Sequence, residues 1–139
     1  KFGWISAFEQ NKKIYIFKFG KCKSRSISAN LKKFKSSLNN FLTKKNKSLK
    51  LNILIVGNST QKKIWNELKK IKFGKTKSYG QIAKKFKLSP RHIGKICAQN
   101  KIPLFIPCHR VIRSDGNIGG FSAQGGIALK KKLLDFERN

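Results

Sequence analysis

The chain has 139 residues, 39% of them hydrophobic, which suffices for the core of one ordinary domain and lies far from a disordered composition. Lys and Arg number 33 against five Asp and Glu, a formal charge of +28 that favours phosphate-bearing partners. No apolar run approaches the ~20 residues of a membrane span, the start does not read as a signal peptide, and three cysteines without framework spacing exclude a secreted disulfide scaffold.

The first residues contain two β-rich runs, "FGWISAFEQ" and "IYIFKFG", separated by Asn11-Lys12-Lys13, which predicts a hairpin. Residues 26–43 place Ile27, Leu31, Phe34, Leu38 and Leu42 at steps of three or four, an amphipathic helix. "LKLNILIVG" (49–57) reads as a third strand, and Gly57-Asn58-Ser59-Thr60 as a boundary that carries a helix cap. Beyond it come short helices. The first puts Ile64, Trp65, Leu68 and Ile71 on one face and ends at Gly74. Ser78-Tyr79-Gly80-Gln81 has the form of a capping box and opens a helix through Phe86. Ser89-Pro90 supplies a cap and a first-turn proline for a helix that turns Ile93, Ile96 and Cys97 inward. Two helices with a link of about three residues suggest a helix-turn-helix, with Arg91 and Lys95 on the outer face. Gly94 in mid-helix costs about 1 kcal/mol against alanine, so it points to the close approach of another backbone or a ligand.

Cys108 stands apart from Cys22 and Cys97, which read as small buried apolar residues. It follows Pro107, which withholds an N–H and places the cysteine at an edge or a turn. His109 comes next, and a neighbouring imidazole is one way to lower a thiol toward neutrality. Adjacent strand residues face opposite ways, so Cys108 and His109 cooperate only through a turn or a water. A histidine base also needs an orienting group, and Asp135 and Glu137 on the terminal helix "GIALKKKLLDFERN" are candidates. That helix is expected to pack Ile127, Leu129, Leu133, Leu134 and Phe136 on the core. No C-x-x-C or H-x-x-x-H pattern exists, so no zinc and no other cofactor is expected.

"IPCHRVI", with "SYGQIA" upstream, "GGFSAQGGIALKKKLL" downstream and Asn100 eight residues before the cysteine, resembles the O6-alkylguanine-DNA alkyltransferase family. The resemblance covers residues 57–139 and extends to 1–56 only as a compatible order of elements. It implies an α+β fold: an N-terminal domain of strand-strand-helix-strand (1–56) and a mainly helical C-terminal domain with a helix-turn-helix (57–139). It also implies repair by direct reversal, with irreversible one-to-one transfer of the alkyl group from O6-alkylguanine, and O4-alkylthymine as a further candidate substrate, to Cys108. His109 would act as base through a water, Glu137 would orient it, and Asn100 would brace the turn. Tyr79 would protonate the guanine ring, Ser122 would bind near O6, and Val111 would contribute pocket wall or main-chain contacts. Arg91 would fill the space of a flipped nucleotide, and Gly94, Lys95 and Ser114 would join it against the minor groove. The implied partner is double-stranded DNA bound by a monomer, with cooperativity along the duplex left open, in the cytoplasm or a eukaryotic nucleus. Thr60, Ala98, Lys101 and Phe121 depart from the family's commoner residues.

Three alternatives differ in kind. An alkyltransferase-like protein that only flags lesions would lack the cysteine. A basic binding module of ribosomal type would have no use for Cys108-His109-Arg110. A cysteine hydrolase would turn over.

Overall fold

A computed structural model describes residues 2–23 and 27–139. Strands β1 (Ile5–Gln10) and β2 (Lys13–Phe19) pair antiparallel across a two-residue turn. Asn11 and Lys12 both take positive φ, 50° and 59°, the twist a tight hairpin demands. Ile14, Phe17 and Phe19 of β2 turn into the core.

Helix α1 (Ala29–Leu42) starts where the Ser28 hydroxyl accepts from the Leu31 amide, and it buries Phe34, Leu38 and Phe41. The expected helix start at Ser26 lies outside the described residues. Ile27, assigned from spacing to the apolar face, precedes the cap and is 67% exposed. The expected third strand over 49–57 is also corrected. One parallel bridge joins Ile14 to Ile53, with Ile14 N–H donating to the Asn52 carbonyl and Leu54 N–H to the Ile14 carbonyl. A register shift opposite Phe8 and Glu9 interrupts the edge of β2, and farther along the Phe17 amide donates to the Lys101 carbonyl. With that edge occupied, residues beyond Leu54 have no ladder to join.

Helix α2 (Ser59–Lys69) carries a reciprocal capping box between Asn58 and Gln61, and it buries Ile64, Trp65 and Leu68. Strand β3 (Lys77–Ser78) leads into α3 (Tyr79–Phe86), whose Ser78–Gln81 capping box is reciprocal too. Lys87 then takes φ 54°, and Ser89 caps α4 (Pro90–Ala98), which buries Ile93, Ile96 and Cys97. A single turn of 3-10 helix (Cys108–Arg110) runs into β4 (Val111–Ile112), and β4 pairs parallel with β3. This pairing sets the start of α3 beside the cysteine turn. Helix α5 (Gly126–Arg138) closes the fold by burying Leu129, Leu133 and Leu134. Ile127, expected on that face, lies in the first turn and is 57% exposed.

One apolar cluster joins β2 and α1 to α2 through α5. Phe136 packs within 6.0 Å of Phe2, Phe41 and Phe73, ring centre to ring centre, which ties both ends of the chain together. Among the described residues, no helix is long and apolar enough to cross a membrane.

Candidate active site and nucleic-acid interface

The cysteine is presented by a wrapped and buried segment rather than by a strand. Residues 102–110 are all buried, and Leu104 adopts φ 72°, a conformation that a branched side chain resists. Asn100 offsets that resistance with its side chain. Its Oδ1 accepts from the Ile102 amide at 2.9 Å, while its Nδ2 donates to the Ile106 carbonyl at 2.8 Å and to Cys108 Sγ at 3.2 Å. The 3-10 turn fans successive side chains about 120° apart, so Cys108, His109 and Arg110 leave the turn in three directions. The segment is thus a turn rather than a strand, and His109 is bonded to Glu137 and Cys108 to Asn100, with no direct hydrogen bond between the two side chains.

His109 is fully buried, and its Nε2 lies 2.7 Å from Glu137 Oε1. Arg110 forms a buried salt bridge with the same carboxylate. Its Nε and Nη2 donate to the Glu137 carboxylate, Nε to Oε2 and Nη2 to Oε1 at 2.8 Å each, and its Nη1 donates to the Ile71 carbonyl at 2.6 Å. The Gly74 amide adds a further hydrogen bond to Glu137 Oε2 at 3.0 Å. Gly74 takes φ 74° there, which suits a residue without Cβ. Burial alone would raise the Glu137 carboxyl, but hydrogen bonds from His109 and Arg110 outweigh it and hold the pKa at about 2. Glu137 is therefore ionised and Arg110 neutralises it. Burial pushes the His109 imidazole below its usual value, so the ring is neutral near pH 7. Nε2 must then carry the proton toward Glu137, leaving the lone pair on Nδ1, which has no hydrogen-bond partner among the described residues.

The Cys108 thiol is 5% exposed, and burial raises its pKa against the lowering effect of Asn100. The sequence suggested a thiol lowered by its neighbour. Desolvation overturns that expectation, because a neutral imidazole provides no charge to favour a thiolate. Cys108 lines an open cavity of about 580 Å3 together with Tyr79, Gly94, Cys97, Ser114 and Ser122. Burial also drives the Cys97 thiol up to about 12, so Cys97 is an inert wall. The Tyr79 hydroxyl, likewise raised by burial, accepts a hydrogen bond from Lys130 Nζ at 3.1 Å.

The remaining candidates divide. Gly94, Ser114 and Ser122 line the cavity, and Ser122 Oγ donates to the Ala98 carbonyl at 3.1 Å. Val111 does not line it. The whole residue is 0% exposed in the core, where β4 places it opposite Lys77, so neither its side chain nor its main chain reaches the cavity. Arg91 and Lys95 are exposed on α4, outside the cavity. A Cβ added at Gly94 would meet no protein atom within 4 Å, so the space before this helix is open. Asp135 is exposed and takes no part in the cluster. Arg110, Lys130 and the Gly74 amide are members of the site that the sequence reading missed. Lys130 had a signal, since it sits three and four residues before Leu133 and Leu134 and so falls on the buried stripe.

The site thus sets a buried cysteine in the wall of a cavity, a histidine–carboxylate–arginine cluster on the same turn, and the start of α4 along the cavity wall. Residues 59–139 match the family model for 6-O-methylguanine DNA methyltransferase, DNA binding domain. The methylated-DNA–protein-cysteine methyltransferase of Metallosphaera sedula is 35% identical over 139 residues, covering 98% of this chain and 87% of that protein. Its counterpart in Methanocaldococcus vulcanius is 50% identical over 80 residues, 58% of this chain, and the match spans only 48% of that relative's length. The crystal structure of Mycobacterium tuberculosis OGT in complex with DNA superposes with a TM-score of 0.84 at 25% identity, covering 96% of this chain and 86% of that one. The chain belongs to the methylated-DNA–protein-cysteine methyltransferase family.

Proposed function

We propose that this protein reverses alkylation damage by moving the alkyl group from O6 of guanine in duplex DNA onto Cys108, once per molecule. The observation that carries this reading is the placement of Cys108 in the cavity wall, on the same turn as a neutral His109 that an ionised Glu137 orients. The thiol proton passes to His109 Nδ1, directly or through a water, as sulfur attacks the alkyl carbon. The S–C bond forms as the C–O6 bond breaks. The Tyr79 hydroxyl gives its proton to a guanine ring nitrogen, so a neutral base departs. Glu137 then faces an imidazolium and steadies it. Because the resting thiol is protonated, the thiolate arises only where an alkylated base is already seated.

The cavity cannot reach a base within a duplex, so the nucleotide rotates out of the stack before reaction. Arg91 would occupy the space it leaves, with Lys95 and Ser114 on the flanking phosphates and Ser122 toward O6. O4-alkylthymine would enter by the same route. A protein of this kind acts as a monomer wherever the genome lies, in the cytoplasm or the nucleus. A thioether resists water, so the reaction should end after one transfer, whereas a cysteine hydrolase would turn over. Intact mass after incubation with duplex DNA containing O6-methylguanine tests this. The expected result is one added methyl on the native protein, mapping to Cys108, and none on Cys108→Ser. An unchanged native mass on bound DNA would sink the proposal.

A further inference from the structure

Lys130 is the least expected residue of the site. It lies on α5 with 0% of its surface exposed, and among the described residues no carboxylate pairs with it. Its Nζ donates to two oxygens, the Tyr79 hydroxyl at 3.1 Å and the Gly120 carbonyl at 3.1 Å. Lysine is among the residues least often fully buried without a partner charge, because desolvating an ammonium is costly. A core position that only needed volume would hold leucine or methionine.

A hydroxyl oxygen that accepts from Lys130 has its own proton free for another acceptor. Among the described residues the Tyr79 hydroxyl donates to no protein acceptor, and Tyr79 lines the cavity. Gly120 belongs to the loop that also carries Phe121 and Ser122 of the cavity wall. One ammonium therefore fixes two parts of the same cavity, the hydroxyl on α3 and the loop before α5.

Resting on the alkyl-transfer reading, we propose that Lys130 is a positioning residue that acts through Tyr79, aiming the hydroxyl proton at the seated base and neutralising the phenolate left when that proton departs. The step balances. The base gains the proton and becomes neutral guanine, the Tyr79 oxygen gains the negative charge, and the ammonium beside it offsets that charge until solvent restores the proton. Burial brings the Lys130 pKa down to about 8, so the ammonium still prevails at pH 7. The ionisable groups that face Lys130 are Tyr79 on α3, Cys97 on α4, and Cys108 and His109 on the 3-10 turn.

The test is a double-mutant cycle on single-turnover methyl transfer, using full-length native protein, Lys130→Met, Tyr79→Phe and the double variant with one duplex substrate. Lys130→Met is expected to slow transfer by about tenfold or more in the native background. In the Tyr79→Phe background the same change should cost less than about threefold. Equal losses in both backgrounds would overturn the proposal, since a lysine that merely supports the fold or the loop does not need the hydroxyl. Lys130→Gln keeps a neutral donor and repeats the cycle if the methionine variant does not fold; it is expected to lose rate only where Tyr79 is present, and equal losses again refute the idea. Failure of the native protein to transfer any methyl group would count against the underlying reading instead.

Discussion

Glu137 receives hydrogen bonds from His109, Arg110 and the Gly74 amide, and this crowd around one carboxylate has two consequences. The first concerns reaction. Glu137→Gln keeps the shape but offers an amide whose oxygen no longer carries charge, so the imidazolium formed during transfer loses its support. We expect single-turnover transfer to fall about 100-fold or more, while DNA affinity, measured by fluorescence anisotropy, stays within about twofold because the carboxylate does not face the groove. The second concerns stability. The pKa of Glu137 in the fold is about 2 against an ordinary 4.5, so its stabilising contribution is complete above the ordinary value and is lost as pH falls through the folded one. His109 is depressed as well, so acid also favours the unfolded chain once its free imidazole binds a proton. Denaturant midpoints should therefore decline from about pH 6.5 downward, and Glu137→Gln should flatten the part of that decline that falls below the ordinary carboxyl pKa. Arg110 explains why the sequence could point to these residues without resolving them. An arginine directly after the histidine could equally face phosphate, and only the 3-10 turn determines that it points inward.

At the level of elements, the helices were the legible part. Asn58, Ser78 and Ser89 cap α2, α3 and α4 as their sequence signatures predict, because a cap is a local hydrogen bond that needs no distant partner. The apolar run 49–57 misled, since a strand depends on a free neighbouring edge and Lys101 uses part of that edge. Ile27 and Ile127 misled for a related reason. Periodicity continues past the residue where the helix stops touching the core. The helix-turn-helix carries its own prediction through Gly94, where a methyl group would touch no protein atom. Gly94→Ala should raise stability by about 0.5–1 kcal/mol, read from denaturant unfolding. The same change should weaken duplex binding several-fold, because the added methyl projects into the space reserved for a ligand. If affinity for duplex DNA does not change, the nucleic acid does not approach α4 at that point.

For the molecule as a whole, we propose the division at residues 56 and 57 as two regions of different role that share one core. Phe41 of α1 packs against Phe73 and Phe136, and the Phe17 amide is bound to Lys101 next to the cysteine segment. A fragment of residues 57–139 made alone would expose that aromatic face and leave Lys101 without its strand. We expect it to unfold non-cooperatively and to aggregate on heating, as light scattering would show, whereas a sharp reversible transition would mean that the helical region is an independent domain. The fold class was legible because helix spacing and hairpin signals survive translation into three dimensions. The shared core was not, since Phe41, Phe73 and Phe136 are too far apart in the chain for any local pattern to join them.

The raised pKa of the buried Cys108 thiol bears on how long the protein lasts before use. Peroxides and small electrophiles react with thiolates, and their attack requires access. A thiol that stays protonated and nearly buried is slow toward them. If transfer is one-to-one, as proposed, shelf life matters as much as speed. On that proposal, the same desolvation that makes the resting cysteine sluggish would protect unused molecules from reagents other than a lesion.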